Sequence, residues 1–490
     1  MRLISRGAAT TLALALAGAV NASAQPVPPA TRTPQEPAPT ERPLAATVQD
    51  LLRTVAAQQR LLEEQGRQIE ALRREVAATR SAPVSDPSTG VPAPPPQSAT
   101  AAAAPGQPSA ADQEPRRIPE LPPDVVAAGD FPGSFRIPGS DAALKIGGLV
   151  RVNWVSTNDA LLVSDRFVTS GIPVSGTAEA ARGARVDIIA SPSRFNFDLR
   201  TPTGVGHMRA FIEGDFAGER NTLRLRHAYG QWRRLVFGQT WSTFSDPEAE
   251  PDGIDFEGLN AIVLFRQPQV RWSFPLGTRF RTALALEDPR PDLTDATGVN
   301  QVPDVVARVR WEPARGGHLQ LSGIVRQLRG EPVDRPNEIV GALGLGVNVS
   351  GRVPVPYWKE RDHLLFQHNS GTGIGRYITD LGSLGGQDAV YDPSSRTLLA
   401  LDVYSGYLGY EHWWTEQLRS SLSFGIVGVN NVDIQPDDAL GLTRRYSINF
   451  MWSPIPRLDL VTEFLWGRRY NKDGQRGTAA QTQIGSTFRF

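Results

Sequence analysis

Apolar and polar side chains alternate with a period of two along the end of the chain. Ala480, Thr482, Ile484, Ser486, Phe488 and Phe490 fall on one face of an extended strand, and Gln481, Gln483, Gly485, Thr487 and Arg489 on the other. The pattern recurs upstream, where Tyr446, Ile448, Phe450 and Trp452 alternate with Arg445, Ser447, Asn449 and Met451. It recurs again in Leu458, Leu460, Thr462, Phe464 and Trp466. One face is apolar with aromatic ends; the other can be wetted. Inside a bilayer every backbone polar group must be paired within the protein, which only helices and closed barrels achieve. Alternating strands of about ten residues with aromatic tips are the barrel pattern. An all-β transmembrane barrel is therefore expected.

The first such strand runs over 144–155, with Leu144, Ile146, Val150, Val152 and Trp154 on its apolar face. Short turns are predicted at 201–206, 232–235, 275–278, 312–317, 413–417 and 453–457, with a longer one at 351–361. Longer loops are predicted near 157–182, 217–222, 243–261, 288–303, 329–338, 370–397, 428–441 and 470–477. Seven turns and eight loops join about sixteen antiparallel strands, the size that leaves an aqueous channel. An even strand number puts both barrel ends on the periplasmic side.

The segment ahead of the barrel has a different character. Arg2, Arg6, the apolar run 8–20 and Ala22-Ser23-Ala24 predict a secretory signal over 1–24. A Pro-rich lead (25–43) precedes a Pro-free segment (44–80), in which Val48, Leu51, Val55, Leu62, Ile69, Leu72 and Val76 occupy heptad positions a and d. A periplasmic coiled coil is the reading, with a lone amphipathic helix as its alternative. Residues 81–130 form a Pro/Ala-rich linker, and 131–490 the barrel domain.

Composition then narrows the chemistry. The chain has 490 residues, no Cys, and 51 basic against 51 acidic side chains. Thiol chemistry and disulfides are excluded, and zero net charge implies no pull toward nucleic acid. Only Lys145, Lys359 and Lys472 are Lys, so the basic residues are nearly all Arg. On the polar faces of the early strands stand Arg194, Arg200, Arg209, Arg224, Arg226, Arg271, Arg279, Arg281, Arg308, Arg310 and Arg326. Outward at mid-membrane each would cost about 2–4 kcal/mol, so they are expected to point inward as a basic wall. The loop after the fifth strand carries Asp246, Glu248, Glu250, Asp252, Asp255 and Glu257. Folded into the lumen, it would set a transverse field against the Arg wall, and Arg224, Arg226, Arg271, Arg279 and Arg281 would line the narrowing; the alternative is a solvated surface loop. Arg rings favour anionic solutes.

Ile146-Gly-Gly-Leu-Val-Arg151, Ser193-Arg-Phe-Asn-Phe197, Leu223-Arg-Leu-Arg-His-Ala-Tyr-Gly230, Gly238-Gln-Thr-Trp-Ser-Thr-Phe244 and the terminal Phe490 resemble the DcaP-like family of trimeric outer-membrane porins. The likeness spans the barrel domain nearly end to end, and the heptads resemble that family's periplasmic coiled coil. It implies a homotrimer in outer-membrane lipid, passing small anionic, dicarboxylate-like solutes by diffusion. No catalytic residue, metal or cofactor is expected. The six His (His207, His227, His318, His363, His368 and His412) have no nucleophile elbow, metal helix or phosphate loop nearby, which argues against a barrel enzyme. A tether whose helical stalk touches the peptidoglycan stands as the other reading.

Overall fold

The computed structural model describes residues 127–355 and 361–490. The predicted signal, Pro-rich lead and coiled coil, and all but the last residues of the predicted linker, lie outside them. Sixteen barrel strands follow in chain order. They are β1 (Ala143–Thr157), β2 (two segments, Arg185–Ile189 and Arg194–Thr203), β3 (Gly206–Asp215), β4 (Arg224–Trp232), β5 (Leu235–Trp241), β6 (Arg266–Leu276), β7 (Phe280–Glu287) and β8 (Asp304–Trp311). The second half comprises β9 (His318–Pro332), β10 (Val340–Pro354), β11 (His363–Thr372), β12 (Asp402–Trp413), β13 (Leu418–Asn430), β14 (Leu440–Ile455), β15 (Leu458–Asn471) and β16 (Arg476–Arg489). Each strand pairs antiparallel with the next, and β16 returns to β1 in the register Phe488↔Val150 through Gln481↔Thr157. Phe490 extends this seam, donating its N–H to Gly148 O at 3.1 Å and accepting from Gly148 N at 3.3 Å. Closure leaves no unpaired sheet edge, as a bilayer demands.

Burial runs opposite to that of a water-soluble sheet. On β9, His318, Gln320 and Ser322 are 3, 2 and 1% exposed, whereas Leu319 and Leu321 between them are 38 and 47% exposed. Polar side chains are packed inside, and apolar ones stand outside where only hydrocarbon can accept them. The strands end in short connections on one side and long ones on the other, close to the predicted positions.

The barrel is not hollow. The loop 242–265 after β5 turns inward and is bound to the inner wall. Val263 N donates to Gln367 Oε1 on β11 at 2.6 Å, and Asn260 Nδ2 to Thr443 Oγ1 on β14 at 3.1 Å. Ile254 N donates to Glu463 Oε2 on β15 at 2.6 Å, and Asn153 Nδ2 on β1 to Ile254 O at 3.1 Å. Glycines on the wall make room for it. A Cβ at Gly409 would lie 2.3 Å from Pro251 Cγ, and one at Gly485 would lie 2.4 Å from Ile254 Cδ1. The loop carries its own apolar patch, Phe244, Leu259, Ala261, Ile262 and Val263, which packs on Ile374, Tyr377, Ile378 and Leu381 of the loop 373–401. Thr379 N donates to Ile262 O at 3.0 Å and Asp380 N to Asn260 O at 3.1 Å, so these two loops form one body inside the loop end. Of the two readings of the acidic loop, the inward fold is the one observed.

Candidate functional site

The inward loop leaves a polar cavity of about 460 Å³ between itself and the wall, lined from β1, β2 and β4 to β6 and, across the seam, from β13 to β15. Alternation aims Arg151 of β1 and Arg194 of β2 into it, and Arg266 enters from the start of β6. Arg224 and Arg226 reach it through an irregularity in β4. Glu213 pairs with His227, but Gly214 pairs with Leu225, so Arg226 is an extra residue on its strand. This bulge lets the consecutive Arg226 and His227 both face inward; His227 Nδ1 lies 3.1 Å from Thr240 Oγ1.

Carboxylates behind the wall hold the guanidinium groups in place. Arg224 Nη2 and Arg226 Nη1 lie 2.7 and 2.9 Å from Asp215 Oδ2, and Arg226 Nε lies 2.7 Å from Glu213 Oε1. Arg194 Nη1 is 3.6 Å from the same Glu213 oxygen. Arg151 and Arg266 have no carboxylate at ion-pair distance among the described residues. Arg151 Nε donates to Thr487 Oγ1 at 3.1 Å, and the Arg266 guanidinium sits 4.2 Å over the Trp241 ring. Phe256, at the tip of the loop, receives Arg166 and Arg224, each 5.3 Å from its ring centre.

The acidic loop forms the opposite bank. Asp255 accepts from Arg445 Nη2 at 2.9 Å, Gln483 Nε2 at 2.8 Å and Phe167 N at 3.1 Å. Asp252 accepts from Arg419 Nε at 2.7 Å. Asp246 lies deeper, 2.7 Å from both His318 Nε2 and Ser350 Oγ; burial alone would raise its pKa, but these contacts and Arg310 hold it below the usual carboxylate value. Glu248 pairs with Arg310. Glu250 differs, since burial pushes its carboxyl up to about 7 against the opposing pull of Arg445, and neighbouring Asp252 adds to the rise.

A pH effect follows. Glu250 is neutral below about 7 and negative above it, so acidification removes one negative charge from the cavity. Arg445, Arg194 and Arg151 face it from the wall and Asp252 from its own loop. Anion preference should therefore rise as pH falls from 8 to 6, and Glu250→Gln should hold it at the acid value throughout; a Gln variant that titrates like the parent refutes the assignment. The stability contribution has the same sign. With the folded pKa raised, it is full below the ordinary value of 4.5 and is lost as pH rises to about 7.

Of the residues expected from sequence, Arg194, Arg224, Arg226, Glu250, Asp252 and Asp255 meet in this cavity. Arg310 joins Asp246 and Glu248 against the β8 wall, and Arg308 and Arg271 also stand on strands of this side, Arg271 Nη1 reaching Trp241 O at 3.4 Å. Arg200 and Arg209 are at the turn end. Both bind Asp198, at 2.9 and 2.8 Å, and with His207 and Arg233 they line a separate chamber of about 560 Å³. Arg279 and Arg281, expected at the narrowing, are not among the residues lining this cavity. Arg279 lies in the turn 277–279, and Arg281, 62% exposed, is directly cross-strand from Arg310 and pairs with Glu312 at 3.1 Å at the turn end. Arg151, Arg266 and Arg445 have the alternation that flagged their neighbours but were not read as part of the site; Arg166, on a loop, carries no sequence signal.

Residues 133–490 match the DcaP outer membrane protein family. No curated protein matches the chain. Among solved structures, the outer membrane channel DcaP of Acinetobacter baumannii is 21% identical, covers 74% of this chain and 100% of its own, and superposes with a TM-score of 0.65. An anion-selective porin from Comamonas acidovorans is 11% identical over 71% of this chain and 100% of its own, with a TM-score of 0.49.

Proposed function

The chain belongs to the DcaP outer membrane protein family, and from that premise we propose a porin whose cavity passes small hydrophilic solutes and favours anions, dicarboxylates among them. The observation that carries this reading is the pair Arg151 and Arg266, which enter the cavity without a balancing carboxylate while Glu250 opposite them holds its proton near neutrality. A dianion entering there exchanges hydration for two guanidinium groups and meets Asp252 and Asp255 already engaged by Arg419 and Arg445. Attraction is strong enough to admit it, and the acidic bank keeps it from lodging.

The working unit we propose is a homotrimer, supported by the heptads over 48–76 and by the family resemblance. The heptads also support the tether reading, in which the stalk on the cell wall is the function. Deleting residues 25–130 and recording in planar bilayers separates the two. A porin keeps its unit conductance, in three equal levels per insertion. A silent bilayer, or single-level insertions from a detergent-solubilised monomer, goes against the proposal.

A further inference from the structure

On the lipid-facing side of β14, β15 and β16, close to the loop end, three Arg gather around Tyr470. Arg444 of β14 lies directly across from Arg468 of β15, and Arg476, the first residue of β16, is cross-strand from Tyr470. All three share the parity of Tyr446, Phe464 and Trp466, which are exposed on the outside of the barrel. Arg468 Nη1 donates to Tyr470 Oη at 3.2 Å, and the Arg444 and Arg468 guanidinium groups lie 5.8 and 5.9 Å from the Tyr470 ring centre. Among the described residues none of the three is in an ion pair; the ion pairs of these strands and of neighbouring β13 belong to the inward Arg419, Arg445 and Arg489.

Like charges directly opposite one another weaken a strand pair, and a lipid-facing position would be served better by an apolar pair. Their depth explains what could offset this. The pair Arg444↔Arg468 is one outward step beyond Tyr446↔Trp466, whose rings are 5.4 Å apart and mark the aromatic band at the membrane boundary. The guanidinium heads therefore stand at headgroup level, with their aliphatic stems along the hydrocarbon edge. Arg468 also lies 5.1 Å over Trp466, which fixes its direction.

We propose that Arg444, Arg468 and Arg476 form a binding site for the phosphate-bearing headgroup of an anionic lipid in the outer leaflet. A phosphate seated between Arg444 and Arg468 converts their repulsion into shared, bidentate coordination. The Tyr470 hydroxyl adds a polar contact, and Trp466 and Tyr446 offer a flat apolar surface to the lipid below. The site is independent of the lumen and of what passes through it.

The test titrates delipidated full-length protein in mild detergent with bisphosphorylated lipid A and with its dephosphorylated form, reading bound lipid by native mass spectrometry. The parent should bind the phosphorylated form, and the triple variant Arg444→Ser, Arg468→Ser, Arg476→Ser about a hundredfold more weakly, at about fivefold per guanidinium near an anionic headgroup. Arg444→Glu faces Arg468 with opposite charge, so the fold is kept, and it too should lose the lipid; Arg444→Lys should retain most of it. The proposal is overturned by unchanged binding in the triple variant or in Arg444→Glu, or by equal binding of the two lipid forms. It is also overturned by displacement with free inorganic phosphate, or by a change in oligomeric mass in place of lipid loss, which would mark the patch as a contact between copies.

Discussion

Exchanging Arg151 and Arg266 together for Ser should lower the anion-to-cation permeability ratio by about tenfold or more, because a charge about 4 Å from a passing ion is worth about 4 kcal/mol at an effective dielectric near 20, before desolvation. These two are chosen because no carboxylate balances them among the described residues, whereas Arg224 and Arg226 are held by Asp215 and Glu213. Removing a balanced Arg frees a buried acid and confounds the result with a loss of structure. Arg281→Ser is the control, since that side chain pairs with Glu312 at the turn end and does not line the cavity. Glu312 keeps Arg310 as a partner at 3.4 Å when Arg281 is removed, and no cavity-lining charge is lost, so selectivity should stay in place. Reversal potentials of the three proteins decide the matter. An unchanged ratio in the double variant would mean that ions do not pass between Arg151, Arg266 and the loop.

The second large effect is on stability. Arg326 of β9 is 1% exposed and holds three segments at once. Its Nε lies 2.8 Å from Asp304 Oδ2 on β8, and its Nη1 2.9 Å from Asp388 Oδ2 and 2.6 Å from Gly373 O in the loop 373–401. Its Nη2 donates to Pro289 O of the loop 288–303 at 2.8 Å. Tyr377 Oη donates to the same Asp304 oxygen at 2.7 Å, and the Tyr377 ring is packed with Phe244 of the inward loop at 5.7 Å. Arg326 thus ties the wall to the outer loops, and Tyr377 carries the link on to the inward loop. Arg326→Met has similar length but leaves Asp304 and Asp388 buried without a cation, which costs about 3–5 kcal/mol. Arg326→Lys should recover only part, since an ammonium cannot span two carboxylates and two carbonyls as the planar fork does. Heat-induced unfolding followed by gel mobility should show the loss, with noisier open-channel current as the inward loop loosens. A Met variant that unfolds at the parent's temperature would show that the loops are anchored elsewhere.

Much of the barrel was legible because a membrane strand writes its orientation every second residue. Trp452, Phe464 and Phe488 must face lipid, and Asn449, Glu463 and Gln483 must not, so strand number and turn positions follow from the pattern. The site was legible only as a collection of charges. Asp255 meets Arg445 and Gln483, which are 190 and 228 residues away in sequence, and no local pattern encodes such pairings. Period two also fails where the backbone departs from it. The bulge at Arg226 turns His227 inward, where strict alternation from Arg224 and Arg226 would send it to the lipid. A different reason keeps Arg279 and Arg281 out of the cavity lining. Alternation reports which face a side chain occupies but not which partner it finds there: Arg310, directly across from Arg281, reaches Glu248 of the inward loop, whereas Arg281 turns to Glu312.

The central claim is that the unbalanced guanidinium groups facing the inward acidic loop make this barrel a channel that favours anions. The most direct measurement is the reversal potential of the purified protein in a planar bilayer across a salt gradient at neutral pH. A potential with the sign of anion permeation, growing as pH is lowered through the Glu250 titration, is the result predicted. A cation-selective potential, or one that is insensitive to pH in this range, would contradict it.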